Sequence, residues 1–296
     1  MIISASRRTD IPAFYSTWLM HRIRKGFCLV PNPFNARQVS RISLLPDKVD
    51  AFVFWSKNPE PMLKFLGELD SRGFIYYFQY TLNDYPQDFE PSIPNVNRRL
   101  DTFKAFSNRL GPEKMVWRYD PIIISPATDY SFHTSTFERL AYALRGLTRR
   151  VIISIIDLYH KTSKRMDNLT NSNDTRGMAM LRNAPEMLEL LSHIADTARA
   201  AGMRPFSCAE EFNYSNLGIP AGSCIDCKLI NDIGGRSSAK KDRGQRADCR
   251  CVVSRDIGVY DTCVHGCLYC YSTRNWGLAR QRYSEHDPET SMLTER

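Results

Sequence analysis

Short apolar runs rich in β-branched and aromatic residues recur along the chain, and most are followed by a longer stretch whose apolar positions fall at helical spacing. The runs are IISAS (2–6), AFVFW (51–55), FIYYFQY (74–80), MVWRY (115–119), VIISIID (151–157) and RPFSC (204–208). Helical spacing marks 13–25, 36–45, 60–71, 95–109, 132–147 and 176–201. This alternation predicts repeated βα units on a parallel sheet. Right-handed crossovers either close such units into a barrel or leave an open doubly wound sheet. No glycine-rich turn follows the first run, as a dinucleotide-binding sheet would need. The fold class expected is therefore α/β, a full or partial TIM-like βα barrel.

After residue 208 the alternation stops, and GGRSSAKKDRGQRADCRC shows no periodicity. The chain then reads as a barrel core over 1–208 and an irregular cysteine-rich segment over 209–296, expected to fold over the barrel mouth. Such a segment is too irregular to build a core by itself, and metal ligation is one way to order it.

Composition narrows the class. With 43% hydrophobic and 24% charged residues the chain reads as a soluble globular protein, and no apolar run approaches the roughly 18 residues of a membrane span. MIISASRRTD has no apolar core or cleavage site of a secretion signal, so a cytoplasmic location is expected. In a reducing compartment nine cysteines are thiols for metal or redox chemistry rather than disulfides, and only Cys28 stands alone. A net charge of +8 is compatible with nucleic acid or a phosphorylated substrate without pointing to either.

Parallel βα arrays gather their sites at the carboxyl ends of the strands, and here those ends are polar. The first run leads into Ser6, Arg7, Arg8, Thr9 and Asp10, the second into Ser56, Lys57 and Asn58, the third into Thr81, Asn83 and Asp84. The fourth carries Arg118 and Asp120, the fifth ends at Asp157, and the sixth runs into Cys208, Glu210 and Glu211. Singly, Asp10 or Asp120 could just as well cap a following helix. Together, Arg7, Arg8, Lys57 and Arg118 with Asp10, Asp120 and Glu210 suit a ligand bearing carboxylate, phosphate or amine groups. The aromatics of FIYYFQY are expected in the sheet core rather than as base-stacking platforms.

Cys263, Cys267 and Cys270 are spaced CxxxCxxC, with Tyr269 just before the last. Three thiolates from one loop can hold three irons of a [4Fe-4S] cluster and leave the fourth open. Zinc would want a fourth ligand, which His265 or a distant cysteine could supply. A second set comprises Cys208, the pair Cys224 and Cys227, and the pair Cys249 and Cys251.

The CxxxCxxC spacing with an aromatic before the third cysteine resembles the signature of radical S-adenosylmethionine enzymes. The resemblance implies a [4Fe-4S] cluster on Cys263, Cys267 and Cys270, with S-adenosylmethionine chelated at its open iron. In that superfamily the motif follows the first strand, whereas here it comes last. Over nearly the whole length, SASRRTDIPAFY, FVFWSKNP, WRYDP, SCAEE, GQRADCRC and CVVSRDIGVYDTCVHGCLYCY resemble a bacterial family of conserved proteins of unknown function. Four thiols, Cys208, Cys224, Cys249 and Cys251, fall in segments that resemble this family and are expected to hold an auxiliary iron-sulfur cluster or zinc; the spacing of Cys224 and Cys227 argues instead for that pair.

The reading favoured is an iron-sulfur enzyme of radical S-adenosylmethionine type acting on a small or phosphorylated substrate, served by an electron donor. The alternative is a metal-stabilised nucleic-acid-binding or repair protein. Pure electron transfer would leave an open iron without a purpose.

Overall fold

The computed structural model describes residues 1–157, 165–166 and 182–294. Eight parallel strands form one curled sheet, a half-barrel flanked by helices. The six expected runs become β1 (Ile2–Ala5), β4 (Ala51–Ser56), β5 (Tyr76–Thr81), β6 (Met115–Ile122), β7 (Arg150–Ile155) and β8 (Arg204–Cys208), adjacent in that order. Helices α1 (Ile11–Phe14), α2 (Ser16–Lys25), α3 (Leu66–Ser71), α4 (Val96–Leu110), α5 (Tyr130–Ala143) and α6 (Pro185–Ala200) lie between them. The expected helix 176–201 is helical from Pro185, and its portion before residue 182 lies outside the described residues.

One expected helix is a strand. Residues 36–45 fall mostly in β3 (Asn35–Ser43), which pairs antiparallel with β2 (Phe27–Asn32) in a hairpin outside the main sheet. A neighbouring strand within reach outweighs weak helical spacing, and the pair buries Cys28 opposite Ile42 against the core.

The segment after residue 208 joins the same sheet at both edges. Its β9 (Ala221–Gly222) extends the sheet beyond β8, and its β10 (Arg255–Asp256) pairs parallel with β1, giving the order β10-β1-β4-β5-β6-β7-β8-β9. Thus β1 and β8 are not neighbours, and the tail supplies both edges. Between these two strands runs α7 (Cys227–Asp232), and α8 (Trp276–Ser284) follows the cysteine loop.

Alternation along the strands explains why both faces are covered, as a parallel sheet requires. Phe52 and Phe54 of β4 and Tyr76, Phe78 and Tyr80 of β5 pack with the outer helices, so the FIYYFQY aromatics are sheet core. Ala51, Val53, Tyr77, Val116 and Ile152 face the concave side, where Ile225, Leu229, Ile230 and Val252 of the tail cover them. A segment without periodicity therefore fills the half-barrel.

His133, on α5, is fully buried and neutral in this setting. Its Nε2 faces the Ile123 carbonyl at 2.9 Å and so carries the proton, while Nδ1 accepts from the Tyr119 hydroxyl at 2.8 Å. Burial pushes its pKa down to about 4. The unfolded chain takes up this proton from about pH 6.5 downward, so the stabilisation is complete above that value and is lost as pH falls towards 4. Up to about 3 kcal/mol is at stake. Denaturant melts across this range should show a steeper acid loss for the native chain than for His133→Gln.

Candidate functional site

Loops at the carboxyl ends of the strands enclose a cavity of about 400 Å³. Of the expected mouth residues, Arg7, Asp10, Lys57, Arg118, Asp120 and Asp157 line it. So do seven thiols: Cys263, Cys267 and Cys270 of the CxxxCxxC loop, and Cys208, Cys224, Cys249 and Cys251. Cys227 opens α7 outside the lining, with its thiol directed at the Ser237 carbonyl 3.3 Å away.

Two expected residues turn elsewhere. Arg8 lies against the Tyr260 ring and donates to the Gly258 carbonyl at 3.4 Å. Glu210 accepts the Ile155 N–H at 2.8 Å and ion-pairs with Arg182; burial raises its pKa to about 7. Both tie loops together rather than facing the cavity.

The cysteine loop is anchored at several points. Tyr15 donates its hydroxyl to the Thr262 carbonyl at 2.7 Å, Leu268 N–H bonds Phe89 O at 3.1 Å, and Ser92 N–H bonds His265 O at 3.2 Å. Gly266 makes the turn between Cys263 and Cys267 at φ +76°, and a Cβ there would stand 3.0 Å from Pro91. At that dihedral a side chain is disfavoured on backbone grounds alone.

Asp10 joins this loop to the sheet. Its Oδ1 caps α1 by accepting the Ala13 N–H at 3.0 Å, and its Oδ2 accepts both the Lys57 N–H and His265 Nε2, each at 2.8 Å. Burial disfavours the charged form of Cys263, and the backbones of His265 and Asp10 beside it act the other way. The cap and the mouth residue weighed as alternatives for Asp10 are one and the same.

Beside Cys267, Lys57 donates to Glu90 Oε1 at 2.7 Å, and the Tyr269 hydroxyl donates to the same oxygen. Burial would raise the Glu90 pKa, but Lys57 and Arg99 outweigh it and hold the carboxyl below its usual range. Burial pushes the Cys263 and Cys267 thiols up. Two buried polar atoms of cavity-lining residues, Thr9 Oγ1 and His265 Nδ1, have no hydrogen-bond partner, and such atoms ordinarily find one in water or a ligand.

On the opposite side Arg118 is fully engaged. Its Nη2 and Nε bond Asp120 at 2.6 and 3.1 Å, and its Nη1 reaches the Cys224 sulfur at 2.7 Å. Arg7 lies over the Trp55 ring, with its centroid 5.4 Å away, and donates to Ser254 Oγ at 3.4 Å. Among the described residues no group of three or more His, Cys, Asp or Glu side chains is positioned to hold a single metal ion. The thiolates of a cubane cluster each take a different iron and stand around it rather than converging on one point.

Sequence reasoning missed Glu90, which sits between Pro86 and Pro91 in a loop without periodicity. It considered His265 only as a zinc ligand. Among the described residues no helix is long and apolar enough to cross a membrane.

Compared with known families, the chain matches over residues 2–272 the one described as a domain of unknown function, DUF1848. No curated protein matches it.

Proposed function

The chain belongs to the DUF1848 family, and from its cavity we propose that it is an iron-sulfur enzyme of radical S-adenosylmethionine type. One observation carries the reading: the CxxxCxxC loop follows β10, the strand that stands first in spatial order, and its three thiols line the cavity at the strand ends. A motif reached from that edge strand is in keeping with the resemblance, in which the loop follows the first strand.

Cys263, Cys267 and Cys270 would hold the [4Fe-4S] cluster, and the donor set fits: three thiols from one loop and unpartnered polar atoms on Thr9 and His265. Such a cluster, once reduced, supplies the electron that cleaves S-adenosylmethionine to methionine and a 5′-deoxyadenosyl radical, which takes a hydrogen atom from substrate. The protein's part is positioning and exclusion of water. Asp10 orients the cysteine loop through His265, and Lys57 with Tyr269 holds Glu90 in place beside Cys267. Arg7 is the cation best placed to receive a substrate carboxylate or phosphate, because Arg118 and Lys57 already have carboxylate partners.

Anaerobically reconstituted protein, given dithionite and S-adenosylmethionine, is expected to form 5′-deoxyadenosine. An intact [4Fe-4S] cluster with no cleavage under these conditions would remove the radical chemistry.

A further inference from the structure

The other four cavity thiols come from two separate places. Cys208 ends β8 and Cys224 follows β9, on one edge of the half-barrel; Cys249 and Cys251 precede β10, on the other edge. Nevertheless all four line the same cavity. The Cys208 and Cys224 sulfurs are 3.0 Å apart. Backbone bonds fix the junction: Ile225 N–H points at the Cys251 sulfur at 3.3 Å and Val252 N–H at Ile225 O at 3.1 Å.

Two guanidinium groups flank these thiols. Arg118 touches Cys224, and Arg7 interacts electrostatically with Cys251 and Cys224. The cations have a reason to be there if the sulfurs carry charge, because buried charges require partners. Four thiolates around an oxidised [2Fe-2S] or [4Fe-4S] core carry a net charge of −2, which Arg7 and the Nη1 that Arg118 turns to Cys224 offset in part.

We propose that Cys208, Cys224, Cys249 and Cys251 form a second, four-thiolate iron-sulfur centre, whose thiolates stand on different irons rather than converging on one ion, that staples the two open edges of the half-barrel, with Cys227 outside it. Binding of the cluster replaces the Cys208–Cys224 contact by iron-sulfur bonds and releases four protons to solvent. No electron transfer is required, and the centre does not depend on radical chemistry at the CxxxCxxC loop.

The test uses the full chain with Cys263, Cys267 and Cys270 all replaced by alanine, purified anaerobically and assayed for metal and acid-labile sulfide. One centre per chain is expected to remain, as iron with matching acid-labile sulfide, and to be lost on adding Cys224→Ala and Cys251→Ala but not Cys227→Ala; zinc without sulfide would overturn the proposal. A folded triple variant without metal would overturn the proposal, whatever the native chain does with S-adenosylmethionine. If the triple variant does not fold, alkylation of the native chain decides. Cys208, Cys224, Cys249 and Cys251 should then become reactive together on treatment with oxidant and chelator. Reactivity that is independent of the chelator would overturn it.

Discussion

Alanine in place of Cys267 is expected to bring the S-adenosylmethionine-cleaving cluster down to background, with the loss of its visible absorbance, its reduced-state EPR signal and 5′-deoxyadenosine formation. Cys267 is the innermost thiol of its loop, 6% exposed, with Lys57 and Glu90 beside it. Two remaining thiolates cannot hold three irons, and the neighbouring Glu90 keeps one oxygen on Lys57 and Tyr269 and is a hard oxygen donor where the cluster takes thiolates. The fold should survive, because the loop keeps its backbone anchors at Phe89, Ser92 and Tyr15. Cys227→Ala is the matched control and should retain both cluster and cleavage. Cluster content unchanged in Cys267→Ala would mean that the spacing had been misread.

The position of the motif follows from topology. From Cys251 the chain runs through β10, pairs in register with Ile3 and Ser4 of β1, and emerges at the carboxyl end of the sheet. Asp256 accepts from Ser4 and Ser6 at 2.6 and 2.7 Å and from the Arg7 N–H at 2.8 Å, so the first and last strands are fastened where the site begins. A metal centre on the neighbouring thiols would fasten β10 to the opposite edge as well.

Of the six expected strands, β1, β4, β5, β6 and β7 were legible as apolar runs buried almost throughout, whereas β8, RPFSC, buries only alternate residues. β9 and β10 were not legible, since two residues carry no periodicity, and their pairing is set by contacts more than 200 residues apart for β10. The hairpin strand β3 was misread because its apolar positions, Val39 and Ile42, are spaced as in a helix. Much of the cavity lining could be named in advance, because the carboxyl ends of parallel strands converge. Arg8 could not be told from Arg7, nor Glu210 from Asp120, because beyond the strand ends residue type does not say which way a side chain turns. The filling of the half-barrel by Ile225, Leu229, Ile230 and Val252 was hidden for a related reason: four apolar residues scattered among Gly, Ser and Lys look like loop until the concave surface that receives them is known.

Asp10→Ala is expected to cost several kcal/mol in denaturant melts and to weaken cluster retention roughly tenfold to a hundredfold, the usual range for losing a group that orients a metal ligand. The carboxylate serves three donors, Ala13 N–H, Lys57 N–H and His265 Nε2. Leaving a buried donor without its acceptor costs about 1–3 kcal/mol. Part of the loss is a helix cap; the rest is the link between the loop after β1, the loop after β4 and the cysteine loop. Asp10→Asn separates these, because asparagine is as good a cap as aspartate yet offers one carbonyl oxygen where two carboxylate oxygens are used. It should therefore keep the share of the stability that belongs to the cap, lose the share that belongs to Lys57 and His265, and hold the cluster less well. If Asp10→Asn retained the cluster fully while Asp10→Ala lost only stability, Asp10 would be a cap alone, and the orientation of the cysteine loop would rest on the anchors at Phe89, Ser92 and Tyr15.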